Sequence, residues 1–253
     1  MGQHLYRLAI APTQQHGDRI HLTPDQQHYL YRVLRLTAGD RCIVINGRGK
    51  AWIAALAEDW ATLLDPLELG TELPHPLTLI VALPKGSGFE DIIRSGTELG
   101  VSRFQPVISD RTLLKPSPQK LTRWQRIAQE AAEQSERAIV PVVHDPLPFR
   151  DSLDPGTQTT ALIALARGDS PPLTTVLDSL PRSGTELAIA TGPEGGWTPE
   201  EQAAAIAAGF RPVSLGRRIL RAVTAPVAAA ATIAAWQEQN RVHPVPSGED
   251  SQC

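Results

Sequence analysis

The segment Glu186–Ala235, ELAIATGPEGGWTPEEQAAAIAAGFRPVSLGRRILRAVTAPVAAAATIAA, limits the possible fold more than any other part of the chain. Its pattern is strand, glycine loop, helix, strand, second loop, helix. Glu186–Thr191 is an apolar run long enough for one buried strand. Gly192-Pro193-Glu194-Gly195-Gly196 breaks that run, with three glycines free to take positive φ and to let a ligand approach the backbone. Thr198 followed by Pro199, Glu200 and Glu201 marks a helix start: a hydroxyl N-cap, proline at the first position, acids in the first turn. Gly209 ends this helix, and Arg211–Leu215 reads as a second strand. Gly216–Val223 is a loop carrying Arg217, Arg218 and Arg221, and an alanine-rich helix with Pro226 in its first turn closes the unit. Ligands of open α/β sheets sit outside the carboxyl ends of the strands, so two such loops make a binding layout. The plainer reading of GPEGG is a tight strand-to-helix connection.

Upstream, Leu77–Leu83 is a near-continuous apolar run suited to a strand buried on both faces. Lys85-Gly86-Ser87-Gly88 and a helix over Phe89–Leu99 follow. Asp91 stands where a dinucleotide fingerprint needs its third glycine, so a nucleotide-dependent oxidoreductase is a weak alternative. Phe104–Ser109 and Ala161–Ala166 read as further strands. A helix within Pro116–Arg137 buries a stripe of Trp124, Ile127, Ala128, Ala131 and Ala132.

The first 69 residues read as a smaller β-rich unit. Thr23-Pro24-Asp25 starts a helix expected to run to Ala38-Gly39-Asp40, with His28, Arg32 and Arg35 on one face and Leu30, Val33 and Leu34 turned to the core. Cys42–Ile45, Ala51–Ala57 and Thr62–Leu67 read as strands, and Gly70–Pro76 as a semi-rigid linker. The whole chain carries a net charge of -3, but residues 1–50 hold seven Arg and Lys against three acids, a local excess of +4. The two cysteines, Cys42 and Cys253, form no disulfide framework or metal site. The longest apolar run, Ala222–Trp236, is too short to span a membrane. With no signal peptide recognisable, a cytoplasmic protein is expected.

GPEGG followed after a helix by SLGRRILRAVTA resembles the knotted SPOUT methyltransferases. Within them it resembles the RsmE-type family, which methylates N3 of a uridine in 16S ribosomal RNA of the small ribosomal subunit. Thr97-Glu98-Leu99-Gly100-Val101, Asp110-Arg111-Thr112, and Glu133-Gln134-Ser135 with Arg137 before Val140-Pro141 are similar to segments of the same family. HYLYRVLRLTAGD and INGRGKAW resemble its N-terminal PUA-like RNA-binding domain, so the likeness covers nearly the whole chain. It implies an α/β fold: a SPOUT-type domain with a deep trefoil knot over residues 73–240, preceded by a small PUA-like β-barrel over 1–72, with a flexible tail at 241–253.

By the same resemblance, S-adenosylmethionine (SAM) is cradled by Thr191, Gly192, Pro193, Glu194, Gly195, Gly196, Leu215, Gly216, Ile219, Leu220 and Thr224, with Leu165 lining the adenosine pocket. Arg32, Arg35 and Arg48 are the expected RNA contacts, and a homodimer with a shared active site is implied. No metal and no membrane are expected. Two departures stand out. Glu136 occupies the usual glycine position before Arg137, and Val223 replaces the glutamate of the family's Leu-Arg-Thr-Glu-Thr-Ala.

Methyl transfer to uracil N3 requires aligned reactants and loss of the N3 proton, with the developing anion stabilised on the ring oxygens. Arginine is no base at ordinary pH but can stabilise an anion. Arg221 is the candidate for that role, against a phosphate clamp or a pair with Glu194. Arg137 is a second catalytic candidate, against a helix C-terminal cation. Arg111 either touches RNA or pairs with Asp110, the latter preferred. Other functions compatible with the residues are a non-catalytic RNA-binding or assembly protein, and a SAM enzyme acting on another RNA base.

Overall fold

The computed structural model describes residues 5–113, 116–154, 156–181 and 186–239. The expected tail 241–253, with Cys253, lies outside the described residues. Strands β1 (Arg7–Ala9), β2 (Gln15–His16) and β3 (Arg19–His21), helix α1 (Pro24–Gln27), and strands β4 (Arg41–Ile45), β5 (Ala51–Ala57) and β6 (Trp60–Leu67) build the N-terminal part. They form one six-stranded sheet in the order β1-β4-β5-β6-β3-β2, antiparallel except for the β1–β4 pair. Alternation along the strands turns Ile20, Cys42, Val44, Ala54, Leu56 and Ala61 inward onto Leu30.

The expected first helix is only partly present. Thr23 caps it with a reciprocal Gln26 capping box, but regular α-helix stops at Gln27. From His28 to Val33 the turn widens to π geometry, closed by the Leu34 amide on the Tyr29 carbonyl at 2.9 Å. Arg35 then takes φ +58. The wider turn shifts the phase of the faces: Leu30 is buried, whereas Val33, expected in the core, is 54% exposed. His28, Arg32 and Arg35 therefore do not share one regular helix face.

The larger part contains β7 (Leu77–Ala82), α2 (Gly88–Glu98), β8 (Arg103–Ile108), α3 (Pro118–Gln134), β9 (Val142–Val143), β10 (Leu147–Pro148), β11 (Thr159–Ala164), α4 (Leu173–Asp178), β12 (Glu186–Thr191), α5 (Pro199–Ala207), β13 (Arg211–Val213) and α6 (Thr224–Gln239). The sheet runs β10-β8-β7-β12-β11-β13, with β9 also on β8, and every pairing is parallel. Both faces are covered, which is why β7 and β12 read as unbroken apolar runs. α2, α3, α4 and α6 pack on one face with Leu79, Val81 and Ile189. Trp197, Ala205, Phe210 and Phe149 cover the other, over Ile80, Ala188 and Ala190. All five residues expected in the α3 stripe are buried.

Helices α2, α3 and α5 end alike, each with an amide-to-carbonyl bond spanning five residues: Val101 to Gly96, Arg137 to Ala132 and Phe210 to Ala205. The left-handed residue closing the first and third is glycine, Gly100 (φ +87) and Gly209 (φ +90). In α3 it is Glu136 at φ +64. A side chain there costs about 1–2 kcal/mol. Glu136 offsets that cost with an ion pair to Arg7 at 2.7 Å, reaching from the larger part to β1.

The linker is fixed rather than a spacer. Glu72 receives Nε and Nη2 of Arg137 on one carboxylate oxygen at 3.0 and 2.7 Å, and the amides of Ala138 and Ile139 on the other at 2.9 Å each. Arg137 Nη1 donates to the carbonyls of Thr97 and Val101 at 2.9 and 2.8 Å. Beside this knot of bonds, the Asn46–Lys50 turn docks by backbone: the Gly49 amide on the Ala138 carbonyl, and the Val140 amide on that of Gly47. The Ala9 amide adds a bond to Glu133 Oε1 at 2.9 Å.

Candidate active site

A parallel sheet delivers all its strand-to-helix loops to one edge. There the loops after β8, β11, β12 and β13 surround a cavity of about 290 Å³. Thr191, Gly192, Pro193, Glu194, Gly195 and Gly196 form one wall, and Leu215, Gly216, Ile219 and Leu220 another, with Leu165 between them. Eleven of the twelve residues expected to hold a cofactor thus line one cavity. The exception is Thr224, which begins α6 and bonds its amide to the Arg221 carbonyl at 2.9 Å.

The glycines act differently from the expectation of general flexibility. Within GPEGG only Gly196 takes positive φ, at +67. Gly192 and Gly195 instead provide room. A Cβ on Gly192 would lie 3.3 Å from the Trp197 indole, and one on Gly195 would lie 3.1 Å from Cδ of Arg111. Trp197 is itself stacked on Phe149, ring centroids 4.1 Å apart. Its buried Nε1, like the buried Thr191 Oγ1, has no hydrogen-bond partner among the described residues.

Arg111 belongs to this cavity and not to Asp110. Its Nη1 donates to the Gly195 carbonyl at 2.6 Å. The Asp110 amide meets Glu201 Oε1 at 2.8 Å, while Glu201 Oε2 accepts the Thr198 amide at 2.9 Å and completes the capping box. Glu201 is 1% exposed, so these contacts rigidly couple the start of α5 to the loop that carries Arg111. The Thr198-x-x-Glu201 spacing announced the cap; the second use of the carboxylate, 91 residues back along the chain, had no local signal.

Of the two catalytic candidates, one lies elsewhere than expected. Arg137 is 2% exposed and locked onto Glu72, Thr97 and Val101, so its proposed place in the substrate cleft is corrected to a structural one. Arg221 is exposed and stands between wall residues Leu220 and Ala222, while its own side chain is not part of the cavity wall. It makes no ion pair with Glu194, whose carboxylate accepts the Lys85 amide at 3.0 Å. Arg111, Arg167 and Arg218 are the arginines that line the cavity. Arg32, Arg35 and Arg48 are exposed on the N-terminal part; Arg48 also forms a backbone bridge to Ile139.

Val223 explains its own presence. It packs partly buried against the main core, and its Cγ2 lies 2.7 Å from where a Cβ on Gly88 would be. Replacing Val223→Glu should force a carboxylate against Pro84 and Gly88 and lower stability by about 1–3 kcal/mol. Urea unfolding measures it; equal or greater stability would contradict this packing.

Comparison with known proteins agrees with the layout. The family described as an RNA methyltransferase domain matches residues 71–234, and that described as an RNA methyltransferase PUA domain matches residues 22–59. The chain is 52% identical over 240 residues to the ribosomal RNA small subunit methyltransferase E of Synechocystis, covering 92% of this chain and 78% of that protein. The Bacillus subtilis protein of the same name is 32% identical, over 84% of this chain and 88% of its own length. Among solved structures, the Neisseria gonorrhoeae ribosomal RNA small subunit methyltransferase E bound to S-adenosyl methionine superposes with a TM-score of 0.82 at 33% identity, covering 92% of this chain and 98% of that one. With its PUA-like N-terminal domain and α/β catalytic layer, the chain belongs to the ribosomal RNA small subunit methyltransferase E family.

Proposed function

We propose that the protein transfers a methyl group from S-adenosylmethionine to N3 of a uridine in 16S ribosomal RNA of the small ribosomal subunit. The observation that carries this reading is the convergence of both glycine loops, with Leu165, on a single cavity at the carboxyl edge of the parallel sheet. The lining suits the cofactor: the buried Thr191 Oγ1 and Trp197 Nε1 have no hydrogen-bond partner among the described residues, and Cβ atoms at Gly192 and Gly195 would press on the wall residues Trp197 and Arg111. When bound there, S-adenosylmethionine supplies an electrophilic methyl group.

The chain's own residues hold and orient. The cavity-lining residues of the two loops, Gly192–Gly196 with Leu215, Gly216, Ile219 and Leu220, would hold the cofactor, and Arg111 braces the first loop through the Gly195 carbonyl. Arg221, on the loop after β13, stabilises charge developing on the uracil oxygens, while the N3 proton passes to solvent or to a group of the RNA. Passage of the β12–α6 segment through a trefoil knot belongs to the same proposal. So does a homodimer packed on the small, half-buried residues of α6, such as Ala228 and Ala231, and so does work in the cytoplasm.

The test is incubation of the protein with radiolabelled S-adenosylmethionine and separated ribosomal subunits from cells lacking this gene. Label confined to the small subunit's RNA is expected. Labelling of the large subunit or of transfer RNA would point to another acceptor, and no labelling to a non-catalytic RNA-binding protein.

A further inference from the structure

We propose that Arg167, Arg217 and Arg218 form a clamp for RNA backbone phosphates at the mouth of the cavity, on the catalytic part of the chain. The proposal rests on the methyltransferase reading above. Arg167 stands on the loop after β11 and Arg218 on the loop after β13. These strands are hydrogen-bonded neighbours, so the two loops rise side by side, and both arginines line the cavity. Arg217 precedes Arg218 on the same loop. Arg218 Nη2 is 3.7 Å from where a Cβ on Gly216 would lie, and Gly216 turns the loop at φ +111.

What sets these three apart is their place: among the exposed arginines that make no ion pair, they stand together with Arg221 on the two neighbouring loops at the cavity. Arg7, Arg94, Arg103, Arg123, Arg126 and Arg137 each meet a carboxylate within 3.1 Å. Arg111 and Arg211 donate to Gly195 and Ser179. Arg167, Arg217 and Arg218 are exposed and make no ion pair among the described residues. Two acids lie close by: Glu194, with one oxygen engaged by the Lys85 amide, and Asp169, two residues beyond Arg167. Arg221 adds a fourth exposed guanidinium on the same two loops. Gathered like charge repels itself and attracts a polyanion. The planar guanidinium fork matches phosphate oxygens in pairs, which suits backbone gripping.

The N-terminal helix offers less than its charge excess suggests. Arg7 is neutralised by Glu136, and the π turn with the left-handed Arg35 breaks the regular helix face expected to carry Arg32 and Arg35. A target nucleotide presented to the cavity needs its flanking phosphates held near the reacting base, and the paired loops after β11 and β13 are placed for that.

The experiment compares wild type with an Arg167→Gln/Arg217→Gln/Arg218→Gln variant. Binding to purified small ribosomal subunits is measured across a salt series, with S-adenosylmethionine affinity by calorimetry and thermal unfolding alongside. The expected slope of log affinity against log salt flattens by roughly two to three, at about 0.7–0.9 per lost phosphate contact. Arg217→Gln alone, furthest from the cavity wall, should flatten it by about one contact's worth. An unchanged slope overturns the clamp. So does a loss of cofactor affinity at unchanged slope, which would assign these arginines to the cofactor's carboxylate. A flatter slope for Arg32→Glu/Arg35→Glu but not for the triple variant would also overturn it, placing the RNA on the N-terminal helix. A wild-type protein that binds subunits but never labels them would overturn the methyltransferase reading while leaving the slope comparison to judge the clamp.

Discussion

Arg137→Ala should destabilise the protein by about 3 kcal/mol, a larger stability loss than any exposed arginine can produce. Its guanidinium is 2% exposed and satisfies Glu72, Thr97 and Val101 together. Truncation takes the guanidinium from the buried side of Glu72 and removes one donor each from the carbonyls of Thr97 and Val101. Because Glu72 is the linker's anchor, the loss falls on the junction between the two parts of the chain. Arg137→Lys should recover only part of it, since an ammonium cannot serve the carboxylate edge-on and both carbonyls at once. Urea unfolding of the purified variant reads the change. A loss below about 1 kcal/mol, or abolished methyl transfer at full stability, would return Arg137 to the reacting centre.

Gly195→Leu should have the opposite profile: binding lost, fold kept. A Cβ at this position lies 3.1 Å from Cδ and 3.4 Å from Cβ of Arg111, so a branched side chain displaces either that brace or the cofactor. Gly195 is exposed and its carbonyl serves Arg111 alone among the bonds described, so unfolding should shift little. We expect cofactor affinity to fall about 100-fold, or roughly 3 kcal/mol. Calorimetry decides it: affinity equal to wild type would remove the GPEGG loop from the cofactor site.

The contrast between these two positions shows what kind of information is local. Glycine loops, the Thr23 and Thr198 caps and the apolar runs of β7 and β12 depend on neighbours a few residues away, and they were legible as strings. The twelve cofactor candidates came from one resemblance, and the parallel sheet explains why eleven converge. Arg137 was misread because its partners, Glu72 and the carbonyls of Thr97 and Val101, are brought to it only by folding. The preferred Arg111–Asp110 pair fails for the same reason, the bond from Arg111 to Gly195 joining residues 84 apart in sequence.

The first helix fails differently. Its periodicity is sound as far as Leu30, but a single π turn changes the phase and no residue in HYLYRV announces it. Glu136 is a third case. Read alone it is a poor residue for a left-handed helix end, and its ion pair to Arg7 is a compensation the local sequence does not show. Val223 likewise is a departure in sequence and a packing contact with Gly88 in space.

The most direct test of the central claim is the identity of the methylated nucleoside. Small ribosomal subunits from cells lacking the gene would be treated with the protein and labelled S-adenosylmethionine, their RNA digested to nucleosides, and the label resolved by mass spectrometry. The expected result is 3-methyluridine as the single labelled product, absent with Gly195→Leu. Label on ribose, on another base, or on carbon 5 of uridine would contradict it.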